Sequence, residues 1–254
     1  FLDRLPARNP GKTGSNLTST LPVRPFVRQN RFLVNEIFYS IQGEGASIGL
    51  PAIFLRLQVC NLTCDWCDTR YTWDINHPDY NKYREVSVDE LVPLLESYPC
   101  RRLIITGGEP FLHAAVIEQL LERLGPEWQI EIETNGTLPG RASIRERCQL
   151  NISPKLPSAH NRAKAIRPAV LDLLKQSPNP WFKFVVAGQA DFEAMVKVID
   201  ECGLPQERII VMPEGQDPTT LAEHALEVVE LVKEKGYRLL PRLHVLLYGN
   251  RRGV

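Results

Sequence analysis

The sequence predicts an α/β fold with mostly parallel strands, arranged as a partial barrel or an open sheet. From about residue 32, short apolar segments alternate with amphipathic segments of helical period. The alternation gives about six strand–helix units, too few for an eight-unit barrel. A chain of 254 residues with 43% hydrophobic composition can also bury the core that such a domain needs.

Seven segments are predicted as strands because each is short, apolar and bounded by turn-forming residues. They cover residues 52–59, 101–106, 128–134, 148–153, 181–187, 207–212 and 237–246. In barrels and open sheets alike, the ligand site lies at the carboxyl ends of the parallel strands. We therefore expect the functional residues to follow these segments.

Four helices are predicted between the strands. Ser87 and Glu90 form a capping-box pattern, which opens a helix toward Ser97. The other three are predicted over residues 112–124, 191–202 and 218–235. The last of these begins after Asp217, a common N-cap residue, and ends at Gly236, a common C-terminal stop.

The first 31 residues differ from the rest of the sequence. They are rich in Pro, Arg, Ser and Thr, contain Asp3 as their one acidic residue, and have no helical or strand period. We expect a poorly ordered extension over residues 1–31 and one domain over residues 32–254. An organelle transit peptide has a similar composition and remains an alternative to a cytoplasmic location, which we favour.

Charge and cysteine content limit the classes of function. The 30 basic and 30 acidic residues balance, so no overall field favours nucleic acid or an anionic membrane. No apolar run approaches the roughly 20 residues needed to cross a bilayer. Six cysteines in a chain of this length do not indicate a secreted disulfide scaffold. Cys100, Cys148 and Cys202 are scattered and are expected to be small buried residues.

The other three cysteines form a candidate metal site directly after the first predicted strand. Cys60, Cys64 and Cys67 have the spacing C-x3-C-x2-C, and clustered thiolates select zinc or iron–sulfur. A structural zinc site needs four ligands, and His77 lacks a partner at zinc-finger spacing. Three ligands on a four-iron cluster leave one iron open to a substrate or cofactor. We favour a [4Fe-4S] cluster and keep a non-catalytic zinc-binding module as the alternative.

Two motifs together resemble the radical S-adenosylmethionine superfamily. One is the cysteine motif with Trp66 before its last cysteine; the other is TGGEP, residues 106–110, at the end of the next predicted strand. The two glycines allow close backbone approach to the methionine part of a cofactor. The resemblance implies a partial (β/α)6-type barrel, in which the open iron binds S-adenosylmethionine and passes an electron to its sulfonium.

Longer segments are similar to the 7-carboxy-7-deazaguanine synthase family. They are EIFYSIQGEG, PAIFLRLQVCNLTCDWCDTRYTWD, ITGGEP and NISPK. The resemblance implies conversion of 6-carboxy-5,6,7,8-tetrahydropterin to 7-carboxy-7-deazaguanine with release of ammonia, in the biosynthesis of 7-deazapurines such as queuosine. It also implies Mg2+ as a further cofactor, a flavodoxin- or ferredoxin-type electron donor and a homodimer. A glycyl-radical activating enzyme would share the two shorter motifs, but its peptide groove does not call for QGEG with Arg56.

The resemblance also implies roles for individual residues, position by position. Those expected to bind substrate are Ile41, Gln42, Gly43, Arg56, Thr106 and Val254. Those expected to bind S-adenosylmethionine are Trp66, Cys67, Asp68, Gly108, Ser153, Pro154 and Lys155. Thr69 matches the magnesium ligand, and the guanidinium fork of Arg56 suits the substrate carboxylate. No side chain is assigned a catalytic role beyond these binding roles.

For two C-terminal segments, the resemblance implies less specific roles. Residues 212–215 occupy the place of another cofactor loop, where many relatives have Gln at the position of Met212. The segment LHVLLYGNRRGV resembles a closing strand and a tail that folds over the substrate, with His244 near the pocket.

Overall fold

The computed structural model describes residues 30–161, 165–249 and 251–254. The extension expected over residues 1–31 therefore lies almost wholly outside the described residues. The strands of this part of the chain are β1 (Phe32–Ile41), β2 (Pro51–Leu57), β3 (Arg84–Val86), β4 (Arg102–Gly107), β5 (Gln129–Thr134), β6 (Gln149–Ile152), β7 (Pro180–Val186), β8 (Ile209–Pro213) and β9 (Arg238–Leu239). The helices are α1 (Val88–Glu96), α2 (Ala114–Arg123), α3 (Ala142–Arg147), α4 (Pro168–Leu174), α5 (Gln189–Cys202), α6 (Pro218–Lys235) and α7 (Leu243–Tyr248).

All nine strands of the described residues lie in one sheet, in the order β3-β1-β2-β4-β5-β6-β7-β8-β9. From β2 to β9 the neighbouring strands are parallel, whereas β1 is antiparallel to both β2 and β3. A helix lies in the chain between each of β2 and β4 to β8 and the next parallel strand, with the short β3 preceding α1 in the first unit. These six units confirm the predicted partial (β/α)6-type barrel.

The two faces of the sheet differ in polarity because successive side chains of a strand point to opposite faces. One face supplies the apolar core: Leu55 of β2, Ile105 of β4 and Ile132 of β5 are fully buried in it. The neighbouring positions, Arg56 and Thr106, instead line a cavity. The alternation therefore places Arg56 and Thr106 inside the barrel, on the face that also carries the small apolar cluster of Phe38, Phe54 and Ile104.

The predicted C-terminal strand over residues 237–246 is wrong. The chain leaves the sheet after the two residues of β9 and then forms α7. Pro241 lacks the backbone N–H that a longer strand would need, so the ladder ends with the hydrogen bond from Leu240 N–H to Val211 O, 3.0 Å. The closing segment is thus a helix that begins beside the cavity.

The helix with the capping-box pattern is confirmed. Ser87 caps α1 by accepting a hydrogen bond from Glu90 N–H, and the Glu90 carboxylate accepts one from Ser87 N–H. None of the described helices combines the length and apolar character needed to cross a bilayer.

Candidate active site

A cavity of about 370 Å³ opens at the carboxyl ends of the parallel strands. Nearly all the residues that the sequence assigned to the site line it. They are Ile41, Gln42, Gly43, Arg56, Cys60, Cys64, Trp66, Cys67, Asp68, Thr69, Thr106, Gly108, Ser153, Lys155 and Val254. Pro154 is buried behind Ser153 and is not part of the lining. Met212, Gly215 and His244 also line the cavity.

The three clustered cysteines carry free thiols in one loop after β2. Polar N–H groups surround the sulfurs: Leu62 N–H lies 3.5 Å from Cys60 Sγ, and the Asn161 side-chain amide lies 3.4 Å from Cys64 Sγ. Such donors stabilise thiolates and tune the reduction potential of iron–sulfur clusters. Burial raises the pKa of Cys60 to about 12, and it also raises the pKa of Cys67.

The donor set fits a four-iron cluster. Three soft ligands from one loop line the same cavity, which leaves the fourth cluster position to a ligand from that cavity. Among the described residues, no three His, Cys, Asp or Glu side chains are arranged to hold a single metal ion.

The GGEP turn packs against the backbone that leads into the cysteine loop. Gly108 N–H donates to Leu57 O at 2.9 Å, and Glu109 N–H donates to Val59 O at 2.8 Å. A Cβ on Gly108 would lie 1.9 Å from Val59 O, and Gly107 has a φ of +119°. The two glycines thus allow the turn to approach residues 57–59 closely.

Val59 itself has an unusual backbone conformation, with a φ of +77°. A β-branched residue rarely adopts this region, because its side chain crowds the backbone there. Hydrogen bonds hold it on both sides: its N–H donates to Thr72 O at 2.8 Å, and its carbonyl accepts from Glu109. The surrounding structure thus fixes the direction in which the chain enters Cys60.

Glu109 is a structural residue of the site that the sequence did not identify. Its carboxylate is fully buried and accepts hydrogen bonds from Phe111 N–H at 3.0 Å, Thr134 Oγ1 at 2.8 Å and Asn135 N–H at 2.8 Å. Burial raises the pKa of Glu109 despite these donors. The carboxyl group joins the GGEP turn to the end of β5. In the sequence, an acidic residue within an otherwise apolar strand-to-helix turn could have indicated this structural role.

Arg56 projects from β2 into the cavity beside Glu36. Its Nε donates to Glu36 Oε2 at 2.8 Å, and Tyr71 Oη donates to the same oxygen at 3.2 Å. Burial opposes the charge, but Tyr71 and Glu36 outweigh it and raise the pKa of Arg56. Among the residues that the structure describes, none hydrogen-bonds to its two Nη atoms. A charged, planar donor is therefore available to an anionic ligand.

Glu133, on β5, links two of the predicted substrate residues. Its carboxylate accepts hydrogen bonds from Gln42 Nε2 at 3.1 Å and from Thr106 Oγ1 at 2.6 Å. Glu133 also lines the cavity. Sequence analysis missed it, although an acid that alternates with isoleucines in a strand indicates a polar interior face.

Trp66, Ser153 and Lys155, which are expected to bind S-adenosylmethionine, lie close together. Lys155 Nζ donates to Ser153 O at 2.8 Å and to Ser153 Oγ at 2.7 Å, and lies 5.9 Å from the centre of the Trp66 ring. Burial lowers the pKa of Lys155. Thr69 lies next along the cysteine loop, with its Oγ1 3.5 Å from Cys67 Sγ.

Three buried charged side chains and the partly exposed Asp68 form a network in the cavity wall. Glu44 pairs with Lys183 and with Arg242, whose Nε lies 2.9 Å from Glu44 Oε1, and Arg242 also pairs with Asp68. Burial opposes ionisation of Glu44, yet Lys183 and Arg242 hold its pKa well below its usual value. Lys183 and Arg242 were not identified from the sequence, because their partners lie more than a hundred residues away.

His244 and the C-terminal tail complete the cavity. His244 lies against Gly43, where an added Cβ would be 2.1 Å from His244 Nδ1. In the tail, Arg252 Nε donates to Glu36 Oε1 at 2.9 Å, and its guanidinium stacks 3.7 Å from the centre of the Tyr71 ring.

The chain is similar in sequence and structure to known proteins. Residues 55–202 match the family model of the Radical SAM superfamily. The chain is 34% identical to 7-carboxy-7-deazaguanine synthase of Pyrobaculum aerophilum, over 88% of this chain and 97% of the relative. It is also 34% identical to the enzyme of that name from Halobacterium salinarum, over 85% of this chain and 90% of the relative.

A solved structure extends the likeness to the fold. The crystal structure of QueE from Escherichia coli superposes with a TM-score of 0.65 at 26% identity, covering 84% of this chain and 95% of that protein. The chain therefore belongs to the radical S-adenosylmethionine superfamily and, within it, to the 7-carboxy-7-deazaguanine synthase family.

Proposed function

We propose that the protein converts 6-carboxy-5,6,7,8-tetrahydropterin to 7-carboxy-7-deazaguanine and ammonia, as a carbon–nitrogen lyase of 7-deazapurine (queuosine) biosynthesis. One observation carries the proposal beyond the family likeness. A single cavity is lined by the three-cysteine loop and by Arg56, a charged arginine whose Nη atoms face no partner among the described residues. The residues that would hold the radical source and the group that would bind the substrate carboxylate thus line the same cavity.

Cys60, Cys64 and Cys67 would hold the [4Fe-4S] cluster. The residues that would bind S-adenosylmethionine beside it are Trp66, Cys67, Asp68, Gly108, Ser153, Pro154 and Lys155. When bound, the reduced cluster and S-adenosylmethionine supply a 5′-deoxyadenosyl radical that removes a hydrogen atom from the substrate. The protein holds the reacting groups close together and excludes water from them.

Arg56 would bind the substrate carboxylate through its two Nη atoms, in the bidentate geometry that suits a guanidinium. Glu133 would accept N–H groups from the amino-pyrimidinone edge of the pterin, and Gln42 and Thr106 hold its carboxylate in place for this. Ile41, Gly43 and Val254 would complete the substrate contacts. Thr69 would supply one oxygen to Mg2+, with substrate oxygens and water filling the octahedron.

A flavodoxin- or ferredoxin-type electron donor, a homodimer and a cytoplasmic location are further parts of the proposal, supported by likeness to the family. The donor must reach the cluster loop, whose Asp65 is exposed.

Anaerobic assay of the reconstituted protein tests the reaction. We expect carboxytetrahydropterin, S-adenosylmethionine and a reductant to yield 7-carboxy-7-deazaguanine and 5′-deoxyadenosine by mass spectrometry, with a higher rate when Mg2+ is present. Cys64→Ser should lose the cluster and the activity, whereas Cys100→Ser should keep both. Absence of product from the native holoprotein would refute the proposal, and a colourless protein with zinc but no iron or sulfide would favour the zinc-binding alternative.

A further inference from the structure

One buried side chain joins three separate segments of the cavity wall. Arg242 lies just before α7, and its side chain is 10% exposed. Its Nε donates to Glu44 Oε1 at 2.9 Å, its Nη1 donates to Gly215 O at 2.8 Å, and its Nη2 donates to the Asp68 carboxylate. All three nitrogens of the guanidinium are used, each toward a different loop.

These loops have different predicted roles. Glu44 follows the predicted substrate residues Gln42 and Gly43, and Asp68 lies in the loop assigned to S-adenosylmethionine. The backbone reinforces the first connection, since Leu243 N–H donates to Gly43 O at 2.9 Å. Arg242 and its neighbour therefore bridge the loop assigned to the substrate and the loop assigned to the cofactor.

The third segment, residues 212–215, begins in β8 and occupies the place of a cofactor loop, with Met212 where many relatives have Gln. Arg242 holds this loop through a main-chain carbonyl, that of Gly215. The connection therefore does not depend on the side chain at position 212.

The Asp68 carboxylate is the point at which a ligand can act on this network. Its side chain is 46% exposed, and it lines the cavity beside the cysteine loop, whereas the Glu44 side chain is only 13% exposed. A molecule bound against residues 66–68 would restrict Asp68. Because one rigid guanidinium bonds both carboxylates, restricting one also restricts the other.

We propose that Arg242 is a positioning residue that couples S-adenosylmethionine binding to the ordering of the substrate loop, residues 42–45. The inference rests on the proposed function for the identity of the two ligands. Cofactor bound beside Asp68 orders Glu44 through Arg242, so the substrate meets a loop already in its binding conformation. By thermodynamic linkage, the substrate tightens cofactor binding by the same factor.

The first test is hydrogen exchange of the reconstituted holoprotein with S-adenosylmethionine alone. We expect the cofactor to slow amide exchange in residues 42–45 of the native protein. In Arg242→Lys, which keeps the charge but cannot span three partners, protection should remain in residues 66–68 and disappear from residues 42–45. Arg102→Lys is the matched control, because Arg102 forms another interior ion pair, with buried Glu131. It should keep the native pattern.

The second test measures the dissociation constant of carboxytetrahydropterin with and without S-adenosylmethionine. We expect the cofactor to tighten substrate binding by about fivefold or more in the native protein, and by less than about twofold in Arg242→Lys. Asp68→Ala provides a second variant if Arg242→Lys fails to fold, since it removes the acceptor of one arm of the network and keeps the other two. It should lose the coupling as well.

Two results would overturn the inference: no protection of residues 42–45 in the native protein, or the same protection in both variants as in the native protein. The exchange comparison needs no turnover. A native protein that binds S-adenosylmethionine but leaves the pterin unchanged would therefore refute the proposed function, and the exchange data would still decide the role of Arg242.

Discussion

At the scale of single residues, the cavity charges differ in how far the protein itself satisfies them. Lys183 and Arg242 are buried against carboxylates, and Arg242 uses every nitrogen of its guanidinium. Arg56 uses only Nε toward Glu36 among the described residues. We therefore expect the paired charges to maintain the shape of the cavity and Arg56 to bind a ligand.

Arg56→Lys should therefore impair substrate binding more than cofactor binding. We expect kcat/KM for carboxytetrahydropterin to fall about 10- to 100-fold, because a lysine cannot form the two parallel hydrogen bonds of a guanidinium with a carboxylate. The dissociation constant of S-adenosylmethionine should stay within about twofold of the native value. Steady-state kinetics and calorimetry measure the two quantities.

Arg123→Lys serves as the control for this substitution, because Arg123 pairs with Asp89 on the exposed helical surface. It should leave both quantities unchanged. An equal loss of substrate and cofactor affinity in Arg56→Lys would indicate a general distortion of the cavity instead of a lost carboxylate contact.

At the scale of elements, the GGEP turn and the start of the cysteine loop act as one unit. Gly108→Ala should disrupt that unit, since its Cβ would lie 1.9 Å from the carbonyl oxygen of Val59. We expect the free energy of unfolding to fall by about 1–3 kcal/mol and the affinity for S-adenosylmethionine to fall more than tenfold. Chemical denaturation and equilibrium binding measure these effects.

Gly125→Ala is the matched control, because the atoms nearest its Cβ belong to the end of the Glu127 side chain, which is exposed and can move. Native-like cofactor binding by Gly108→Ala would contradict a joint role for the turn and the loop.

The turn that follows GGEP also sets a pH dependence of stability through His113. Burial lowers the pKa of His113 from 6.5 to about 4, although its Nε2 is hydrogen-bonded to Gln58 O at 2.9 Å. Since the folded pKa is the lower one, the unfolded chain binds this proton first as the pH falls. Stability is therefore lost between about pH 6.5 and about pH 4.

His113→Asn removes the titrating group while keeping a hydrogen-bond donor. Between pH 7 and pH 5, the native protein should lose about 2 kcal/mol more of its free energy of unfolding than this variant. Urea denaturation at the two pH values measures the difference, and equal losses would show that His113 does not titrate as described.

Local patterns predicted the elements best where a cap or a continuous apolar run marks them. The Ser87–Glu90 capping box and the Asp217 cap both lie where the sequence places them. The short helices α3 and α4 were missed because six or seven residues carry too little helical period to recognise. The strand β1 was missed although its residues are mostly buried, and the C-terminal strand was wrongly extended past Pro241.

The sequence likewise predicted some residues of the candidate site and missed others. Motifs located the cysteines, the GGEP turn and Arg56, and the structure brings them into one cavity. The partners of the buried charges could not be located, because pairs such as Lys183–Glu44 and Arg242–Asp68 depend on which strands become neighbours. No local periodicity carries that information.

At the scale of the whole molecule, the C-terminal tail, residues 251–254, is bonded to the first strand through Arg252. Arg252 bonds Glu36 of β1 and donates through Nη1 to Asp79 Oδ2 at 2.9 Å, and Glu36 also holds Arg56. Arg252→Ala should release the tail from the substrate end of the cavity. We expect KM for carboxytetrahydropterin to rise about 3- to 10-fold with little change in the affinity for S-adenosylmethionine.

Lys82→Ala tests whether that effect belongs to Arg252. Lys82 is the other cation paired with Asp79, and its side chain is 70% exposed. Its loss should leave KM unchanged. If Lys82→Ala and Arg252→Ala raise KM equally, the loop around Asp79 determines the effect and the tail does not.

The contacts between the first strand and the last residues also bear on the order in which the protein folds. Arg242 and Glu44 are 198 positions apart, and Arg252 and Glu36 are 216 positions apart. Closing loops of this length costs the most chain entropy, so we expect these contacts to form after the parallel strands have paired. The cysteine loop, which follows β2 directly, would then be in place while this wall of the cavity is still open. Iron and sulfide could enter from that side before the C-terminal segment docks.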